Sequence, residues 1–161
     1  MAEKPSCLAQ AYRYLSRRDH SAHELRVKLR AKQFDKADID KTIERLVERG
    51  YIDDIRYCLS FANARVKKMR IGPQRLRIDL IRKGFGDEII EKALEAQYGA
   101  DDGEWRVAME AAIKKTRTFK RGLDKKSMRR KLYDHLVRRG FSGETARGIA
   151  FEKLDELIES D

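Results

Sequence analysis

LRIDLIRKGFGDEIIEKAL, residues 76–94, decides the fold of this 161-residue chain. Its apolar anchors Leu76, Leu80, Phe85, Ile90 and Leu94 are separated by 4, 5, 5 and 4 residues. Steps of four keep side chains on one helical face, and a step of five across Gly84-Phe85 breaks the helical phase. The stretch therefore reads as helix, tight turn, helix. The same spacing recurs at Leu25, Leu29, Phe34, Ile39 and Ile43, and again at Leu132, Leu136, Phe141, Ala146 and Ala150. The copies begin 51 and then 56 residues apart, and a repeat of that kind fixes architecture before any other signal.

Working outward, each pair is preceded by another amphipathic helix. Leu8, Ala11, Tyr12 and Leu15 form its stripe in the first copy, and Ile55, Leu59, Ala62 and Val66 in the second. Trp105, Ala108, Met109, Ala112 and Ile113 do so in the third. The boundaries follow: three-helix units over 1–52, 53–100 and 101–161. Ser21 and Glu24 have capping-box spacing, Asp35 and Asp87 are N-cap residues, and Pro73 suits the first position of a helix. A longer basic connection, Lys114 to Lys126, accounts for the larger second offset. Good helix formers dominate, and β-branched residues nowhere alternate with polar ones over a strand length. The expected fold is all-α: three tandem three-helix helix-turn-helix units in an elongated curved array, with a single compact bundle as the alternative.

Charge is segregated along the chain. The net charge is +10, which favours polyanionic partners. Lys114 to Arg139 holds 12 Lys/Arg against Asp124 and Asp134. Arg65 to Lys83 holds 8 against Asp79, and Arg13 to Lys36 holds 8 against Asp19, Glu24 and Asp35. In each unit, then, the end of helix one and all of helix two are basic, while helix three is acidic. Solubility alone would interleave both signs. A DNA-reading helix-turn-helix carries its base contacts on the second helix of the pair, which here is acidic, so major-groove reading is disfavoured. Sequence-independent phosphate contact through helix two remains open. The residues expected to make contact are Arg26, Arg30, Arg75, Arg82, Arg129, Arg130, Arg138 and Arg139.

No catalytic constellation emerges. The three histidines, His20, His23 and His135, have no Cys or carboxylate at ligand spacing on a shared face, so no metal site is expected. Asp53-Asp54 reads as helix capping, and no glycine-rich phosphate loop follows a strand. Neither catalysis nor a cofactor is expected. Tyr14, Tyr57 and Tyr133 lie near basic residues, where base stacking competes with ordinary packing. Cys7 and Cys58 are 51 residues apart, at equivalent repeat positions, and read as free thiols at the core edge of a cytoplasmic protein. Met1 to Pro5 lacks the apolar core of a signal peptide, and no apolar run approaches membrane-span length.

The chain resembles the RecX family, bacterial regulators of the RecA recombinase. The resemblance rests on Tyr14 to Ser21 (YLSRRDHS) followed by Glu24-Leu25, on Gly50 to Asp54 (GYIDD), on Gly72 to Leu76 (GPQRL), and on Arg138 to Phe141 (RRGF). It implies a tandem array of three-helix units whose members lie in the groove of RecA–DNA filaments. It further implies inhibition of recombinase, ATPase and coprotease activities, with roles in DNA repair and the SOS response. The implied partners are the RecA filament and DNA, single- or double-stranded, bound by a monomer. Gln33, standing where Gly84 and Gly140 suggest glycine, marks a first turn that is strained or differently shaped. The rivals are a free-standing DNA-binding or transcription-regulating protein and a scaffold for another acidic protein.

Overall fold

A computed structural model describes residues 5–159. Met1 to Lys4 and Ser160-Asp161 lie outside the described residues, so the reading of the N-terminus as free of a signal peptide falls largely beyond them. Ten helices and no strand occur among the described residues. They are α1 (Cys7–Leu15), α2 (Ala22–Ala31), α3 (Lys36–Glu48), α4 (Asp54–Met69), α5 (Pro73–Arg82), α6 (Asp87–Tyr98), α7 (Gly103–Thr116), α8 (Lys125–Arg138), α9 (Gly143–Glu152) and α10 (Leu154–Glu159). The fold is all-α, with three-helix units in tandem, as the repeat requires.

Local chemistry sets the element ends. Ser21 accepts from the Glu24 amide while Glu24 accepts from the Ser21 amide, closing the capping box at α2. Asp53 and Asp124 cap α4 and α8 with their side chains, and Ser142 caps α9. Asp35 occupies the N-cap position of α3 without a side-chain cap bond. The connection between α7 and α8 spans only 117–124, because α7 continues to Thr116 and α8 starts at Lys125. The sequence pattern missed α10: Leu154 and Leu157 are buried, and their short helix packs on α7 and α9.

Every repeat anchor is buried except Phe34, which packs half-buried against the core. The anchors form two cores rather than three. Leu25, Leu29, Ile39, Ile43 and Leu46 fill one under α1–α3. A single continuous core runs from Cys58 on α4 to Leu157 on α10. Ile55 and Ile113, expected on the inner stripes, are exposed; Cys58, Val107 and Ala111 point inward in α4 and α7 instead. Cys7 and Cys58 are free and buried, and burial raises the Cys58 thiol to about 11. That thiol is no nucleophile at neutral pH.

Candidate functional site

The second helices α2, α5 and α8 carry the basic residues, and the structure joins them end to end. The Gly72 amide donates to the Arg139 carbonyl at 2.8 Å, and the Gln74 amide to the Gly140 carbonyl at 3.1 Å. Amides left without partners at the start of α5 thus meet carbonyls left without partners beyond the end of α8. Pro73 between them has no N–H to leave unsatisfied. One repeat earlier the Ser21 hydroxyl donates to the Lys83 carbonyl at 2.6 Å, so the start of α2 meets the end of α5. The three helices follow one another head to tail in the order α8, α5, α2, about 50 Å of helix in all at 1.5 Å per residue.

The glycines of the repeat belong to these junctions. Gly84 and Gly140 have φ of 77° and 86°. A β-carbon on Gly140 would overlap the Arg75 amide, and one on Gly84 would overlap the His23 ring. Gln33 holds the same left-handed conformation, with φ of 59°, so the first turn has the shape of the others and carries the backbone strain of a side chain there. The start of α5 meets the end of α8 and the start of α2 meets the end of α5, so among the described residues neither of these starts meets the turn at Gln33.

A polar cluster locks the first junction. Glu24 takes Arg18 and Lys83, each at 3.0 Å, and Tyr57 Oη lies 3.0 Å from the Lys83 ammonium. Burial pushes the Glu24 carboxyl up, but hydrogen bonds from Arg18, Lys83 and the Ser21 amide outweigh it and bring it down to about 2. Asp54 accepts from the Ala22 amide at 2.9 Å; burial is the largest influence on its carboxyl and raises it. Tyr57 also packs edge-on against Phe85 with ring centres 5.5 Å apart, so its ring is part of this junction. Beyond the Ser21–Glu24 capping box, this network was not legible from spacing, because Lys83, Tyr57 and Asp54 lie far from α2 in the chain.

The eight expected contact residues fall into two groups. Arg26 lies 3.6 Å from Asp40, and its repeat equivalent Arg77 pairs with Glu91 at 2.5 Å, each tying a second helix to its third. Arg75 lies 3.6 Å from buried Asp79, Arg129 4.0 Å from Asp155, and the Arg139 guanidinium donates to the Met69 carbonyl. Arg30, Arg82, Arg130 and Arg138 are exposed and meet no acidic partner among the described residues. Arg82 and Arg138 occupy the same repeat position. Between these arginines the second helices expose aliphatic side chains: Val27 is 50% exposed, Ile78 44%, Ile81 55% and Val137 41%.

Sequence reading missed a cleft of about 300 Å³ where the ends of α4, α7 and α8 converge. Lys68, Arg70, Lys114, Lys115, His135 and Arg139 line it. Burial, then Arg139, Lys115 and Arg138, lower the His135 imidazole to about 4, so it is neutral at pH 7. No group of three or more His, Cys, Asp or Glu able to hold a metal occurs among the described residues. None of the described helices is long and apolar enough to cross a membrane.

An all-α chain of tandem three-helix units, with its second helices meeting end to end, defines a helical repeat protein. Its sequence matches the RecX first three-helix domain over residues 7–46, the second over 53–94 and the third over 102–149. The chain belongs to the RecX family. It is 36% identical to Regulatory protein RecX of Prosthecochloris aestuarii over 151 residues, covering 94% of this chain and 93% of the relative. Against Regulatory protein RecX of Chlorobium phaeobacteroides it is 37% identical over 150 residues, covering 93% and 92%. The crystal structure of RecX from Lactobacillus salivarius shares the fold, with a TM-score of 0.77 at 23% identity over 93% of this chain and 95% of that one. The Prosthecochloris aestuarii and Chlorobium phaeobacteroides relatives are named as regulatory proteins.

Proposed function

We propose that this chain is a non-enzymatic, cytoplasmic regulator that lies along RecA–DNA filaments as a monomer and restrains recombinase, ATPase and coprotease activity. It would thereby act in DNA repair and the SOS response. The observation that carries this reading is the end-to-end line of α8, α5 and α2, which turns three basic helices into one extended track. A track repeating at a fixed interval suits a polymer of repeating subunits, where each further contact is made at high effective concentration. Arg30, Arg82, Arg130 and Arg138 are its foremost contacts, with Arg26, Arg75, Arg129 and Arg139 holding the flanking geometry.

The rival is a free-standing, sequence-independent DNA-binding protein. The half-exposed Val27, Ile78, Ile81 and Val137 beside the arginines favour the filament, because a phosphate backbone offers nothing for aliphatic side chains to bury against. Co-sedimentation with RecA filaments, compared with binding to bare duplex DNA over a salt series, separates the two. Filament binding is expected to exceed duplex binding and to persist at salt that abolishes the latter. Equal affinity for bare duplex, with the same salt slope, would favour the rival.

A further inference from the structure

The cleft beneath α4, α7 and α8 has more positive charge than its fold needs. Three helix C-termini converge there, ending at Met69, Thr116 and Arg138. Each presents roughly half a negative charge, and cations at such ends are expected on that ground alone. Three ends account for about one and a half charges, and Glu110, 3.5 Å from Arg70, accounts for one more. Lys68, Arg70, Lys114, Lys115 and Arg139 exceed that total, and no carboxylate lines the cleft. About two and a half positive charges remain uncompensated, more than a phosphodiester's single negative charge and enough for a phosphomonoester. The cleft volume, about 300 Å³, is at the lower end for small-ligand sites.

His135 sits within the same cleft. Its imidazole is half-buried in a cleft also lined by Lys68 and Arg70 at the end of α4, Lys114 and Lys115 of α7, and Arg139 just past the end of its own helix, and Arg139, Lys115 and Arg138 are the charges that act on it. An imidazole kept neutral by its neighbours would take up a proton once an anion entered, adding a donor to the site.

We infer that this cleft is a phosphate-binding site, taking either a phosphodiester of a nucleic-acid backbone or the phosphate of a free nucleotide. Arg139 is held in place by its bond to the Met69 carbonyl, so one donor is positioned before the ligand arrives. Lys68 and Lys114, both exposed at the cleft mouth, provide mobile charge. The site does not depend on filament binding, since it is tested on the isolated chain.

The test follows the His135 ring resonances of the full chain by NMR during titration with pyrophosphate and, separately, with an oligothymidylate. Both probes are expected to shift His135 and to raise its protonation near neutral pH. Lys68→Ala/Lys114→Ala should weaken both by about tenfold or more with helical circular dichroism unchanged. Arg30→Ala/Arg82→Ala should leave pyrophosphate binding as it was. Tighter binding of the oligothymidylate assigns the site to nucleic-acid backbone, and tighter binding of pyrophosphate assigns it to free phosphates. The inference is overturned if neither probe moves His135 at millimolar concentration. It is equally overturned if the Lys68/Lys114 variant binds both like the parent. Should that variant unfold, the shifts in the parent chain decide alone.

Discussion

Replacing Gly140 with alanine should cost far more than its backbone angle alone explains. A side chain at φ of 86° carries a left-handed penalty of about 1–2 kcal/mol. The new β-carbon would also occupy the place of the Arg75 amide, so the start of α5 must retreat from the end of α8. That movement breaks the bonds from the Gly72 amide to the Arg139 carbonyl and from the Gln74 amide to the Gly140 carbonyl. At about 1 kcal/mol for each bond, the total reaches about 3–4 kcal/mol. Gly50 provides the control, since it has φ of 71° and a β-carbon there would meet nothing within 4 Å. Gly50→Ala should therefore lose only the angular part, about 1–2 kcal/mol. Gly84→Ala should fall between, because its obstacle is the His23 side chain rather than backbone. Gln33→Gly should stabilise slightly, by relieving the strain of a side chain at positive φ. Urea unfolding of the four variants measures all of this. Equal losses for Gly50→Ala and Gly140→Ala would refute the claim that the glycine serves the helix junction.

Three further outcomes are expected. Glu24→Gln should lower stability at pH 7 by up to about 3 kcal/mol, and the gap to the parent should close as pH falls from about 4.5 towards 2, because the folded carboxyl titrates below the unfolded one; a gap independent of pH in urea titrations would contradict this. His135 should titrate near 4 by NMR, and the stability tied to it should be whole above about 6.5 and decline as pH drops towards 4, since the unfolded chain takes up the proton first; an imidazole titrating at its ordinary value would remove the buried-cation account. Leu80→Ala and Leu136→Ala, both fully buried in the shared core, should each cost about 2–5 kcal/mol in chemical denaturation, and a loss well under this range would mean the core is not continuous at those positions.

The architecture was legible because apolar spacing and burial are the same fact seen twice. Leu76, Leu80 and Ile90 are anchors in the sequence and wholly buried in the structure. The capping box of Ser21 and Glu24 was equally local, and so equally readable. The second role of the same residues was not: Ser21 reaching Lys83, and Glu24 gripping it, depend on how units meet. Arg26 and Arg82 looked alike as basic helix-two residues. Only the fold places Asp40 beside one and leaves the other without an acid nearby. The cleft around His135 was hidden for the same reason: its cations lie in basic runs that the sequence shows, but only the fold brings residues 68–70, 114–115 and 135–139 together. Gln33 shows the reading from the other side: a departure from the repeat that pointed to a strained or differently shaped turn keeps the left-handed conformation of the other turns and carries the strain of a side chain there.

The most direct test of the α8–α5–α2 track is RecA-catalysed strand exchange in the presence of Arg30→Glu/Arg82→Glu/Arg138→Glu. These three side chains are exposed, one on each second helix, and meet no acid among the described residues, so helicity and thermal unfolding should match the parent. The account predicts that inhibition falls by about tenfold or more, with each single reversal producing a smaller loss. A triple variant that folds normally and inhibits strand exchange as strongly as the parent would contradict it.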